Sequence, residues 1–367
     1  MCTAPSGHAN SAMLHLSALK SARWLFGLAA LLGCLHVRAA AFDPGCYQAP
    51  DGAITVACLG DFADPYFAAR ALLSARQAGL DIDEPARAWI AWLMPRQRAD
   101  GTFPRFCRQE GEWQACAQAD ADDALMALWI ELLYVTAPCT GMPPEWQVSA
   151  NRAQAKLQQL FDQKTGVYHI AADLPVSLLM DNVEIYAAQR QISRRQACMH
   201  NKRAAQRTLD AAVKLQRAIV RTFRRSAQSG FDVSTQSQTS TEFYPAAVAQ
   251  LYPVLLHMVP PQQRRTQFDA WMLAHREQWL SQRHDHFPWG LVALVAADVG
   301  DTASAGCWQK NAEVLRHGAR WNVLEEAAFQ ALAQTPLPTG VCPRIPLSSD
   351  QQPETPPEAE TQGGGQP

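Results

Sequence analysis

Three carboxylates crowd into four residues at Asp120-Ala121-Asp122-Asp123, directly ahead of the apolar stretch Ala124–Tyr134. An aspartate at a helix start is ordinary capping, and its charge suits the positive end of the helix dipole. Three are more than a cap requires. Crowded carboxylates raise one another's pKa, and a carboxyl that keeps its proton near neutral pH can act as a general acid. A second acidic pair stands in Met180-Asp181-Asn182-Val183-Glu184-Ile185-Tyr186. Asp181 and Glu184 are three apart, so both project from one helical face, and Ala187 and Ala188 add little bulk beside them. Acids on an otherwise apolar helix are costly to bury without a partner or a wet cavity. An exposed stripe is the plain alternative.

A third group lies in Thr241-Glu242-Phe243-Tyr244-Pro245, where the proline suits a first helical position. Glu242 and Tyr244 then fall in the loop feeding a helix. Phe287-Pro288-Trp289-Gly290 repeats the design with an aromatic rim. Rings offer flat apolar faces to sugars, and carboxylates accept from sugar hydroxyls. The candidate catalytic residues are therefore Asp122, Asp123, Asp181, Glu184 and Glu242. The candidate substrate contacts are Asp120, Asn182, Tyr186, Tyr244 and Trp289.

Other motifs point away from chemistry. Gln97-Arg98-Ala99-Asp100-Gly101-Thr102-Phe103 reads as a helix stop turning through glycine, so Asp100 belongs to the turn. His284-Asp285-His286 sets two histidines two apart, off a common helical face, and no Cys-x-x-Cys pair occurs. No metal site is expected. With no phosphate-binding glycine loop and no local Ser/His/Asp or Cys/His signature, no cofactor is expected either.

Helices must position these groups. From about residue 64 to 334, apolar residues recur at three and four in Ala68–Ala78, Ala86–Met94, Ala124–Tyr134, Ala155–Phe161, Val176–Gln189, Ala204–Phe223, Ala246–Met258, Gln267–Leu280, Leu291–Val299, Ala303–Leu315 and Val323–Ala333. Strand alternation is scarce, so the domain 64–334 is expected to be all-α. In 204–225, Leu209, Val213, Val220 and Phe223 are expected on the inward face. Arg207, Lys214, Arg217, Arg221, Arg224 and Arg225 are expected outside, with Asp210 the sole acid from Arg190 to Arg225. That face is either solvated or a docking surface for an anionic polymer or membrane. Residues 335–367, rich in Pro, Gly, Gln, Ser and Glu, are expected to form a disordered tail.

The first 41 residues have the regions of a secretory signal: Lys20 and Arg23, the apolar run Trp24–Leu35, then Arg38-Ala39-Ala40-Ala41. Cleavage is expected before Phe42. The run is short of the roughly 20 residues that a spanning helix needs. Met13 is a candidate start. Leu31-Leu32-Gly33-Cys34 resembles a bacterial lipobox, and a lipid on Cys34 would tether an otherwise periplasmic or secreted chain to a membrane. Without Cys2 and Cys34, eight cysteines remain, an even set that suggests disulfides in an exported chain. Cys46–Cys58, in a disulfide-bearing segment 42–63, and Cys107–Cys116 are the expected pairs, because each closes a short loop rich in turn residues. Lys and Arg number 32 against 34 Asp and Glu, a formal net charge of −2, which does not suggest nucleic-acid binding.

The run Gln97–Phe103 ending one hairpin and Asp120-Ala121-Asp122-Asp123-Ala124 opening the next resemble the (α/α) toroid proteins. Within that group the chain is most similar to the six-hairpin glycosidases, which include the family-eight endoglucanases. Their acid-rich opening to an inner helix is matched by Asp120, Asp122 and Asp123. Phe243-Tyr244-Pro245 and Ala249-Gln250-Leu251-Tyr252-Pro253 resemble one of their inner helices. The similarity spans most of 64–334 as a pattern. It implies about six helical hairpins in an inner and an outer ring, with the active site at one mouth. It also implies a polysaccharide or oligosaccharide cleaved between two carboxylates. The Glu-Gly motif carrying the family-eight general acid is absent, so Glu184 and Glu242 are acid candidates by position alone. Class II terpene cyclases share the D-x-D-D at Asp120–Asp123 and Q-x-x-D-G-S-W repeats like Gln97–Phe103. This chain has one such repeat, is short for that family and carries an export leader. A non-catalytic carbohydrate-binding protein of an envelope or secretion system is the other alternative. Mass spectrometry of the exported chain should find Phe42 at the mature N-terminus; a lipid-modified Cys34 there would replace this expectation with a membrane-anchored form.

Overall fold

The computed structural model describes residues 39–226, 230–236, 242–282, 285–334, 336–338 and 342. Residues 1–38, which hold most of the expected leader with Cys34, and His284 and most of 335–367 lie outside the described residues. The helices are α1 (Pro65–Gln77), α2 (Asp83–Leu93), α3 (Asp122–Thr136), α4 (Pro144–Gln159), α5 (Leu179–Cys198), α6 (Lys202–Phe223), α7 (Tyr252–Leu255), α8 (Pro261–Ser281), α9 (Gly290–Asp298), α10 (Thr302–Ala312) and α11 (Val323–Ala333).

The odd-numbered helices pack in succession, α1 on α3, α3 on α5, α5 on α7, α7 on α9 and α9 on α11, and α11 returns to α1. That contact closes an inner ring. The even-numbered helices lie outside, with α4 on α3, α6 on α5 and α10 on α9. This is the (α/α) toroid. Sequence explains the division: α3, α9 and α11 are apolar almost all round, as helices covered on every side must be. Starts are set by Asp64, which accepts from Tyr66 N ahead of Pro65, and by Asn201, Asp301 and Asn322, which accept from the first-turn amides of α6, α10 and α11. No helix of the described residues is long and apolar enough to cross a membrane.

Three elements differ from expectation. A sheet of β1 (Phe62–Ala63), β2 (Arg105–Gln109) and β3 (Glu112–Ala117) precedes α3, with β2 and β3 joined through Glu110 and Gly111, both at positive φ. Its outer strand is largely exposed, so it carries little of the apolar alternation that marks a half-buried strand. The expected helix 246–258 is instead a π-turn at Phe243–Ala247 that contains Pro245, followed by the short α7, which carries Pro253 in its first turn. On α6 the inward face is Ala205, Ala212, Leu215, Ala218, Ile219 and Phe223, while Leu209 and Val213 are 38% and 36% exposed. Small residues let α6 lie close on α5, and Ser193 Oγ donates to Ala205 O at 2.7 Å.

Both expected disulfides are present, Cys46–Cys58 and Cys107–Cys116. Cys139–Cys198 ties the loop after α3 to the end of α5. Cys307–Cys342 fastens α10 to a residue of the 335–367 segment, where Leu337 also packs on the core. At the other end, Asp81 N donates to Ala40 O and the buried Phe42 donates its N–H to Asp81 O, so the folded body takes in Ala39–Ala41.

The Gln97–Phe103 loop is structural. Asp100 accepts from Thr102 N and Thr102 Oγ1 within its own turn. Gln97 Nε2 donates to Gly101 O and Ser149 O, Ser149 Oγ donates to Gln97 Oε1, and Trp129 Nε1 donates to Ser149 Oγ. The loop thereby locks α4 to α3. Gly101 sits at φ +94°, and a Cβ there would lie 2.5 Å from Arg152 O. Gly101→Ala should destabilise the fold by at least about 2 kcal/mol, read by thermal or denaturant unfolding.

Candidate active site

A ring of inner helices that share one direction brings their N-termini to one mouth. Asp123 opens α3, is fully buried, and accepts from Ala124 N at 2.8 Å. Asp181 stands in the first turn of α5, 6% exposed, and faces Asp123. One turn deeper, Glu184 Oε1 accepts from Tyr66 OH at 2.9 Å and pairs with Arg70 Nε at 3.3 Å. The Arg70 guanidinium lies 5.9 Å from the centre of the Tyr252 ring. Asp123, Asp181 and Glu184 each keep one carboxylate oxygen without a hydrogen-bond partner.

Burial disfavours charge on all three acids. It pushes Asp123 up to about 7, against the pull of the Ala124 N–H and Asp181. Asp181 is raised further, first by burial, then by the adjacent Asp123 and Glu184 charges. Glu184 is raised less, because Arg70 and the Tyr66 hydroxyl favour its ionised form. Burial and mutual repulsion therefore favour a proton held within the Asp123–Asp181 pair.

Above this floor, Tyr244 and Trp289 stack with centroids 4.9 Å apart. Tyr244 remains 42% exposed, and its hydroxyl is pushed up to about 12 by burial and by Asp181, Asp120, Glu184 and Asp285, which surround it. Trp289 Nε1 donates to Asp285 Oδ2 at 2.7 Å. The Trp289 and Gly290 amides donate to buried Glu325 at 3.1 and 2.6 Å. A Cβ on Gly290 would meet Glu325 Oε2 at 2.8 Å, so only glycine lets this carboxylate clamp the rim.

The structure brings Asp123, Asp181, Glu184 and Tyr244 together, with Trp289 beside them. Asp120 is exposed at the mouth, 3.8 Å from Arg105. Glu242 is exposed on the rim, next to Phe243. Three candidates lie elsewhere. Asp122 turns outward to Lys156 Nζ at 3.6 Å, because neighbouring helical positions point about 100° apart. Asn182 clasps Tyr168, accepting from its N–H and donating to its carbonyl, and is fully buried. Tyr186 is buried with its hydroxyl accepting from Arg190, deeper along α5 than the mouth. Tyr66, Arg70 and Glu325 join the site without a motif to mark them, and Asp285 and Tyr252, which stand in other motifs, join it as well. Arg70, set among the alanines and leucines of α1 ahead of Arg76 in the last turn, was the available signal. A cavity of about 650 Å³ opens at the opposite end of the ring and reaches Arg70 and Glu184 from behind, past Glu131 and Arg190.

No protein-family model matches the chain. No curated protein matches its sequence. Its fold matches solved structures. One is a glycosidase variant, at a TM-score of 0.52 and 13% identity over 78% of this chain and 92% of that chain. A glycosidase variant in complex with glucose matches at 0.51 and 13% over the same shares. A D-mannose isomerase matches at 0.50 and 11%, over 80% of this chain and 94% of that chain. The chain thus has the (α/α) toroid fold of these glycosidases.

Buried acids of raised pKa make the fold sensitive to pH. The unfolded chain ionises these groups near pH 4, while the folded chain holds its protons until about pH 7 at Asp123, Glu131 and Glu325. Stability should fall as pH rises across that interval. Asp181→Asn keeps a donor toward Asp123 and removes one titration. Its Tm should decline less between pH 4 and pH 8 than that of the parent, as followed by calorimetry.

Proposed function

We propose that the chain is an exported glycoside hydrolase acting on a polysaccharide or oligosaccharide at the mouth of the toroid. The observation that carries this reading is a pair of adjacent buried carboxyls, Asp123 and Asp181, beneath the stacked Tyr244 and Trp289, where burial and mutual repulsion favour a retained proton. A sugar ring laid on that aromatic rim would present its glycosidic oxygen to the acid. The glycosidase-like fold, the leader and the four disulfides support it.

In this mechanism Asp181 donates its proton to the leaving oxygen. Asp123 is a positioning residue that keeps the proton on Asp181. Glu184, held by Arg70 and Tyr66, supplies negative charge behind it. The second carboxylate comes from across the mouth, since the start of α9 faces the start of α3 around the ring. Asp285 is in place to activate water or attack the anomeric carbon, with Glu242 on the adjoining rim as the other candidate. The divergence of Asp120 toward Arg105, Asp122 toward Lys156 and Asp123 inward gives no support to a terpene-cyclase acid. A purely binding role at the same mouth would show as glycan affinity without turnover.

Asp181→Asn should lower kcat on unactivated glycans by at least about 10²-fold, with a much smaller loss on nitrophenyl glycosides, whose leaving group needs no proton. Asp285→Asn should impair both substrate types, and Asp122→Asn neither. Equal losses of Asp181→Asn on both kinds of substrate would remove Asp181 from the acid role.

A further inference from the structure

We infer that the outer face of α6 is a docking track for an acidic polysaccharide, leading along the wall of the ring to the mouth. This rests on the sugar-binding reading of the mouth and adds the charge of the polymer.

Arg203, Arg207, Lys214, Arg217 and Arg221 follow one another at intervals of three, four or seven residues, so they share one helical face. All five are exposed. The line spans about 27 Å at 1.5 Å per residue. Among the described residues no carboxylate forms an ion pair with any of them. The acid in the row, Asp210, accepts instead from Gln206 Nε2 at 2.8 Å.

A merely solvated face would not be built this way. Arg203 with Arg207, Lys214 with Arg217, and Arg217 with Arg221 are like-charged neighbours that repel along the helix. Lys202 and Arg203 occupy the first turn, where the dipole disfavours cations. The chain as a whole has a formal net charge of −2, so the concentration of cations is local. Local rules broken without an internal gain point to an external partner.

The track has a direction. The helix α6 runs back along α5 from the turn at 199–201, and its last residue, Phe223, accepts from Asp232 N at 2.6 Å. The strand-like segment after it bridges Ser234 to Leu178, and Leu179 N donates to Val233 O at 2.9 Å. The line of cations therefore ends level with the start of α5, two residues from Asp181. Arginine meets carboxylate and sulfate in planar, two-point fashion, and cations spaced one or two helical turns apart suit a linear polymer bearing anions at regular intervals. A membrane surface fits less well. It calls for large apolar side chains projecting among the cations, whereas Leu209 and Val213 sit to one side, each roughly two-thirds covered.

The test is affinity electrophoresis of the full exported chain through gels containing polygalacturonate or a neutral glucan, with parallel flotation on anionic phosphatidylglycerol vesicles. The expected result is retardation by polygalacturonate alone, weakening as salt rises. The triple variant Arg207→Gln, Lys214→Gln, Arg217→Gln should bind at least about tenfold more weakly. Its turnover of short neutral oligosaccharides that fill only the mouth should be unchanged. Equal retardation of variant and parent would overturn the track, as would capture by vesicles and not by polygalacturonate. Retardation lost in the triple variant, in a chain that hydrolyses no glycan, would uphold the track and defeat the hydrolase reading.

Discussion

Inner helices closed into a ring and sharing one direction deliver their positive ends to one opening. The rest of the molecule follows from that constraint. Unsatisfied amides and dipoles converge there, and the sequence answers with carboxylates: Asp64 capping α1, Asp123 at the head of α3, Asp181 in α5 and Glu325 clamping the start of α9. Each has a local reason to be present. Brought together by ring closure, they form an acidic floor that no single helix requires.

Such a floor would repel itself apart without compensation. Arg70 provides it from within the lumen, where Glu184 and the Tyr66 hydroxyl complete a buried polar cluster. The compensation is incomplete: Arg70 Nη2 and one oxygen on each of the three acids lack partners. A buried polar group without a partner costs roughly 1–3 kcal/mol, so the cluster weakens the fold locally. Stability comes from elsewhere, from the tryptophan-rich packing between helices and from disulfides that fasten loops at both ends of the chain.

Much of the fold was legible because long apolar periodicities survive in the sequence. Val323–Ala333 was expected and found with the same limits. The β2–β3 ribbon was not, since its exposed side chains leave no alternation, and only Cys107 and Cys116 marked it. At the site, the three-residue spacing of Asp181 and Glu184 put both on one helical face but left an exposed stripe open, and the structure buries them. Spacing could not say which of the adjacent Asp122 and Asp123 points inward, because ring closure decides that. Tyr186, two residues beyond Glu184, turns off their shared face and meets Arg190 instead. Asp285 reads in the sequence only as the middle of a His-Asp-His run, because its place at the rim depends on Trp289, four residues on, folding back in a left-handed conformation to donate to it.

The two acids of α5, a single turn apart, meet opposite electrostatic surroundings. Glu184 has a cation and a phenol against its charge, so the ionised form has partners. Asp181 has neither, and its nearest neighbours are two further carboxylates. Burial acts on both, and the neighbours decide between them. Removing the Arg70 charge would push Glu184 toward its neutral form and relieve the repulsion that favours a proton within the Asp123–Asp181 pair. The lumen cation and the mouth acid are thus one electrostatic unit, although Arg70 never approaches the rim where a sugar would lie.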